Sequence, residues 1–210
     1  MNAVLPRIAV FAKAPVPGQA KTRLIPALGP EGAARLHARL VTHTLTTVSA
    51  AALGPVTLWC APDTGHPLFD ALAQRFNLTR EVQHGEDLGV RMFNAFDHHA
   101  PDGPVLLIGT DCPALGADTL RAAAQALLND DAVFVPAEDG GYALIGLNRP
   151  ERSLFDDMPW GSAAVMSRTR DALRRAGLRW TELAPLWDVD RPEDLPRLDA
   201  LSLKDDLSLA

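Results

Sequence analysis

Short runs rich in β-forming residues alternate along the chain with longer stretches whose apolar residues recur at three- and four-residue spacing. The short runs are Arg7–Lys13, Val56–Cys60, Leu78–Gln83, Val105–Gly109, Ala132–Pro136, Tyr142–Leu147 and Arg179–Leu183. The fully apolar runs among them suit strands covered on both faces, as in a parallel sheet flanked by helices. Helical spacing is carried by Leu36, Leu40, Val41, Thr44, Leu45 and Val48 within a segment from Glu31 to Ala52. Leu120, Ala123, Ala124 and Leu127 repeat it after Gly116, and Val165, Met166, Thr169, Leu173 and Ala176 repeat it again. Weaker helical patterns cover Leu68–Phe76 and Leu88–His98. Alternation of strand and helix predicts right-handed crossovers and an α/β fold, a three-layer α/β/α sandwich on a mostly parallel sheet. One place breaks it. Ala132–Pro136 and Tyr142–Leu147 are separated only by Ala137–Gly141, too short for a crossover helix, so a short antiparallel hairpin is expected there.

Length sets the scale of this fold. A chain of 210 residues predicts a single domain, 1–210, able to bury about 70% of its unfolded surface without disulfide or metal staples. An apolar content of 47% excludes general disorder, although the tail from Leu203 to Ala210 looks poorly tied down. Twenty basic against twenty-six acidic residues give a net charge of -6, which argues against nucleic acid as the main partner. A small anionic ligand held by a few local cations remains compatible with that balance. No apolar run approaches the ~18 residues of a membrane span. Ala12-Lys13-Ala14 imitates a signal-peptidase site, but the apolar stretch Ile8–Ala12 is shorter than the ~7–15 residue core of a signal. With Cys60 and Cys112 spaced as neither a zinc site nor a redox pair, a cytoplasmic location is expected. Oligomeric state is not legible in these patterns.

Four segments carry candidate chemistry. The first, Phe11–Leu24, follows the first strand and places Lys13, Lys21 and Arg23 within eleven positions, around Pro15, Pro17 and Gly18. Loops after strands open onto the carboxyl edge of an α/β sheet, where ligands bind, and clustered cations there suit phosphates. A Walker A loop is excluded, because the two glycine positions before Lys21 hold Pro15 and Ala20. The second, Ile108–Leu115, sets Asp111 just past an apolar strand, either as a metal ligand beside substrate phosphates or as a turn residue. Cys112 reads as a small packed side chain. The third, Trp187–Leu195, carries Asp188 and Asp190, which share one side if the stretch is extended. Asp190, with Pro192 and Glu193 following, also fits a helix capping box, and Asp188 then remains for a metal. The fourth, Ala137–Leu147, offers Glu138 or Asp139 as a general base beside Gly140-Gly141, glycines that permit close backbone approach or simply a turn. Arg91 either reaches the same cleft or lies on a helix face, and Trp160 either stacks on a ligand or packs.

Taken in order, FAKAPVPGQAKTRL, IGTDCPAL, EDGGYALIGL and DVDRPEDL resemble the bacterial GT-A-like transferases, the glycosyltransferase A or nucleotide-diphospho-sugar transferase-like proteins. The resemblance spans Arg7 to Leu198 and extends more distantly to the guanylyltransferases of phospholactate and molybdenum-cofactor activation. It implies the α/β/α sandwich of the GT-A fold and a transferase that uses a nucleotide-activated donor, a small-molecule acceptor and Mg²⁺ or Mn²⁺. By the same resemblance Lys21 and Arg23 hold the phosphates; Lys13, Gly18 and Arg91 stand beside them as further candidates for the nucleotide site on the residue reading above. Asp111 matches the metal-binding aspartate, and Asp188 or Asp190 the late metal ligand. Two departures stand out: there is no Gly-rich opening loop, and IGTDCPAL has no Asp-x-Asp. Glycosyl transfer with Asp139 as base, nucleotidyl transfer onto a phosphorylated substrate, and non-catalytic nucleotide-sugar binding are therefore the readings to separate.

Overall fold

A computed structural model describes residues 5–201, so the tail beyond Leu201 lies outside the described residues. Seven strands form one sheet: β1 (Arg7–Lys13), β2 (Val56–Ala61), β3 (Thr79–Val82), β4 (Val105–Ile108), β5 (Ala132–Pro136), β6 (Tyr142–Leu147) and β7 (Trp180–Glu182). Their order across the sheet is β3-β2-β1-β4-β6-β5-β7. The five main helices are α1 (Ile25–Ala51), α2 (Pro67–Phe76), α3 (Leu88–His99), α4 (Ala117–Ala126) and α5 (Val165–Ala176). Each element foreseen from the apolar patterning is present.

One detail differs from the expectation. The expected antiparallel hairpin is present, and its return strand is central: β6 lies between β4 and β5 and runs antiparallel to both, while β5 pairs in parallel with β7. Its residues Ala143–Leu147 are all buried, so hydrophobic burial draws the return strand into the middle of the sheet. Helix α1 begins six residues before the expected Glu31, because a first turn precedes a break at Gly29 (φ 68°, ψ 167°). Pro30 follows the break, where the lack of an N–H is tolerated at a helix start.

Side-chain alternation along the strands divides the core into two layers. Ile8, Val10 and Ala12 of β1 face α1, α2 and α4, meeting Val41, Phe69 and Leu120. Ala9 and Phe11 face α3 and α5, meeting Met92, Phe96 and Leu173. A third, smaller core joins the start of α1 to the C-terminal segment, where Val189 and Leu198 pack on Leu24, Leu36 and Leu40. Val189 is 0% exposed and Leu198 1% exposed. Burial of one such side chain contributes about 1.5–3 kcal/mol. An exposed ion pair contributes about 1 kcal/mol or less, so burial rather than charge holds this segment across the mouth of the sheet.

Candidate active site

Strand order reverses between β1 and β4, the point where open α/β sheets bind ligands at their carboxyl edge. A cavity of about 810 Å³ lies along that edge. Its walls come from the ends of the parallel strands and the start of β6: Lys13 at the end of β1, Pro62 after β2, Gln83 after β3, Asp111 after β4, Asp139 after β5 and Tyr142 on β6. Asp188 and Asp190 enter from the C-terminal segment, and Arg23 from the first loop. Four carboxylates contributed by three distant stretches thus face one space.

Backbone bonds set this convergence. The Val189 N–H donates to the Asp111 carbonyl at 2.8 Å, and the Leu186 N–H to that of Pro136 at 2.9 Å. Glu138 N–H returns a bond to Leu186 at 2.9 Å. The segment before Asp188 is thereby stitched to the end of β5, while Arg197 grips Glu138 through two bonds at 2.7 and 3.1 Å and stacks on Trp187. Glu138 is thus committed to Arg197, and Asp139 is the carboxylate of that pair that lines the cavity. Asp139 also accepts from the Gly141 N–H at 2.9 Å, which fixes the turn. Gly140 sits there with φ 92°, and a Cβ on it would come within 2.3 Å of the Ala163 carbonyl oxygen. Its close approach is therefore to the chain's own backbone.

The cations divide into two kinds. Lys21 is 5% exposed, and its ammonium donates to Asp111 Oδ1 at 2.7 Å and to the Val189 carbonyl. It braces the first loop, the end of β4 and the C-terminal segment, and it does not line the cavity. Its own backbone is left-handed at φ 49°, a conformation held by those anchors. Arg23 and Lys13 do line the cavity; Arg23 pairs with Asp190, and Lys13 Nζ donates to the Gln19 carbonyl at 2.9 Å. Arg91 reaches the cleft from α3 and donates through Nε to the Gly85 carbonyl at 3.0 Å. Gly18 is a turn residue with φ 79° outside the lining.

One structural correction concerns Asp190. Its carboxylate pairs with Arg23 instead of capping the last turns. Asp194 performs the backbone role, accepting from the N–H groups of Asp190 (3.0 Å) and Arg191 (2.7 Å), and the segment Pro192–Leu201 winds as a 3-10 rather than an α-helix.

Electrostatics separate the acids. Burial raises the Asp111 carboxyl, but the charge and hydrogen bond of Lys21, aided by His37, outweigh it and hold the group below its ordinary value. Asp188 has no such ammonium of its own. Burial, then the neighbouring Asp139, push it up to about 6. Burial also pushes the Cys112 thiol up, in keeping with a packed side chain. Among the described residues no three His, Cys, Asp or Glu side chains form a preformed metal cluster. A hard cation of the Mg²⁺ type needs only one or two protein carboxylates when phosphate oxygens complete its shell, so the donor set Asp111 and Asp188 fits one.

Three lining residues carried no usable signal in the sequence. His37 lines the cavity with Nε2 at 2.9 Å from the Lys13 carbonyl, and its buried Nδ1 has no partner among the described residues. Tyr142 has a buried hydroxyl that likewise meets no donor or acceptor among the described residues. Gln83 holds two strand-end carbonyls. Each is a single residue in an ordinary local pattern, and only the fold brings them to the cleft. Trp160 both lines the cavity and packs, its ring centroid 6.4 Å from that of Tyr142.

Fold and site together define an α/β protein of the nucleotide-diphospho-sugar transferase architecture. Residues 44–162 match the bacterial family DUF2064, described as an uncharacterized protein conserved in bacteria, and the chain belongs to that family. A candidate nucleotide-diphospho-sugar transferase from Desulfovibrio desulfuricans G20 is 31% identical with a TM-score of 0.84, over 96% of this chain and 89% of that one. A CMP:2-keto-3-deoxy-manno-octonic acid synthetase in complex with CTP is 13% identical with a TM-score of 0.60, over 95% and 99% of the two chains. The 4-diphosphocytidyl-2C-methyl-D-erythritol synthase of Anaerococcus prevotii is 11% identical with a TM-score of 0.63, over the same shares. At those identities the likeness is one of fold. No curated protein matches the chain in sequence. Among the described residues no helix is long and apolar enough to cross a membrane.

Proposed function

We propose that this chain is a Mg²⁺- or Mn²⁺-dependent transferase that takes its donor as a nucleotide-activated sugar and passes the glycosyl group to a small acceptor. The observation that carries the proposal is the meeting of Asp111, Asp139 and Asp188 with Lys13 and Arg23 in one cleft at the switch point of the sheet. The D. desulfuricans relative supports it through its own description as a candidate nucleotide-diphospho-sugar transferase.

Lys13, Arg23 and Arg91 would meet the donor's diphosphate, with Arg23 exchanging Asp190 for phosphate oxygens on the exposed side of the cleft. Asp111 and Asp188 would hold the divalent ion, which, when bound, supplies charge neutralisation of the leaving diphosphate. Lys21 keeps Asp111 ionised and aimed. Asp139 would accept the proton of the acceptor hydroxyl as its oxygen bonds to the anomeric carbon. The bond from that carbon to the diphosphate oxygen breaks, and its electron pair leaves with the nucleoside diphosphate. Holding donor and acceptor together contributes the rest.

Nucleotidyl transfer is the second reading, favoured by the fold shared with the two cytidine-nucleotide synthases. There a substrate phosphate attacks the α-phosphorus of a nucleoside triphosphate and pyrophosphate departs, with no base required because the attacker is already anionic. Incubation with nucleotide sugars and with triphosphates, each with Mg²⁺ and a cell-extract acceptor pool, separates the readings. Nucleoside diphosphate release supports glycosyl transfer, and pyrophosphate release supports nucleotidyl transfer. Binding without either product refutes both and leaves a nucleotide-sugar-binding protein.

A further inference from the structure

We infer that the acceptor brings no phosphate or carboxylate into the cleft, because the end beside the β5–β6 turn is left with negative charge that no lysine or arginine offsets. The inference rests on the proposed glycosyl transfer and deepens it, naming the charge class of the molecule that receives the sugar.

Among the described residues that line the cavity, the lysines and arginines are Lys13, Arg23 and Arg91. Lys13 closes β1, and Arg91 is tied from α3 to the Gly85 carbonyl, beyond β3. Asp139 follows β5, which β4 and β6 separate from β1. Three strand spacings set those strand ends about 14 Å apart, farther than a lysine side chain reaches. Arg23 is matched in either state: by Asp190 in the free protein, and by donor phosphates in the proposed complex, which leaves Asp190 as one more anion on the rim. Lys21 is taken by Asp111 and Arg197 by Glu138.

What remains is Asp139 and Asp188. Among the described residues neither pairs with a lysine or arginine. After burial it is the Asp139 charge that most raises the Asp188 carboxyl, so the two stand close enough to repel. A divalent ion on Asp111 and Asp188 is itself met by the donor's diphosphate, whose charge is equal and opposite. The adjoining wall is uncharged. Gly140 packs on Ala163, bringing Gly161 and Ser162 of the loop before α5 against the hairpin residues Gly141 and Tyr142. Peptide groups and a serine hydroxyl bond sugar-like hydroxyls and leave the carboxylates unopposed. Each unopposed carboxylate about 4 Å from an anion weakens its binding about fivefold even at the permittivity of water, so two exclude it by more than about tenfold. A substrate phosphate, the attacker in nucleotidyl transfer, is disfavoured on the same ground.

The test passes the small-molecule filtrate of a bacterial extract, treated with charcoal to remove nucleotides, over an anion exchanger at neutral pH. The unretained fraction and the eluted anions are each supplied to the full chain with Mn²⁺ and a panel of nucleotide sugars. Nucleoside diphosphate release is read above the acceptor-free rate. The unretained fraction is expected to support release at least about tenfold faster, and mass spectrometry of the product should show a glycosylated compound without phosphate or carboxylate. Release supported by the anions alone, or comparably by both fractions, overturns the inference while leaving glycosyl transfer in place, as does a product whose acceptor part carries either group. Release by neither fraction refutes glycosyl transfer, and the inference falls with it.

Discussion

Replacement of Lys21 by Met is the perturbation on which the account of the site bears most directly. The ammonium has two partners, Asp111 Oδ1 at 2.7 Å and the Val189 carbonyl, and its side chain is 5% exposed. Removing one member of a fully buried pair costs about 3–5 kcal/mol, because the other charge is stranded. Here the Asp111 side chain is 55% exposed into the cleft, so water can rehydrate it and the loss falls below that range. A cost of about 2 kcal/mol remains, the value of hydrogen bonds to a charged donor. For a domain of this size each kcal/mol moves the midpoint by about 2–4 °C, so thermal unfolding should shift down by about 4–8 °C. Mn²⁺ binding without nucleotide should move the opposite way. Loss of a positive charge bonded to a proposed ligand carboxylate removes a repulsion of at least about 1 kcal/mol even in water-like surroundings, which tightens Mn²⁺ by several-fold to about tenfold. A Lys21→Met protein that melts like its parent and binds Mn²⁺ no more tightly would refute the reasoning, since it would show an ammonium free in solution.

Other outcomes follow from the same geometry. Asp188 is held at about 6 against 3.8 for the free side chain, so its burden is absent below about pH 4, where folded and unfolded states are both protonated. The burden grows between pH 4 and 6 and is complete above, so Mn²⁺, which neutralises the ionised acid, should raise the melting temperature more at pH 7.5 than at pH 5; an equal rise would place the ion elsewhere. Tyr142→Phe removes a buried hydroxyl that has no partner among the described residues, so it should raise stability by about 1–3 kcal/mol in calorimetry, and a loss of stability would show that the hydroxyl is satisfied through water. Gly140→Ala places a Cβ 2.3 Å from the Ala163 carbonyl oxygen at φ 92° and should destabilise the protein by more than about 1 kcal/mol in chemical denaturation. Because the turn it disturbs positions Asp139, turnover should fall as well; parental stability would show that the tip can shift freely.

The sequence alone determined the elements and their class, because covered strands must be apolar throughout and helices must be apolar on one face, as in Val105–Ile108 and Val165–Ala176. It also supplied Asp111, at the end of the most uniformly apolar run, and the cationic loop after β1. What it left open was decided by contacts between distant stretches. Whether Asp190 caps a helix or meets Arg23 depends on Val189 and Leu198 burying against α1, an event with no local signature. Lys21 and Arg23 look alike in sequence, yet one is braced beneath Asp111 and the other stands on the rim. Gln83, Tyr142 and His37 became members of the site only when the strand ends were aligned by register. Periodicity is a property of neighbouring residues and is written in order along the chain. A cleft is made by residues that are neighbours only after burial has chosen which strand lies beside which.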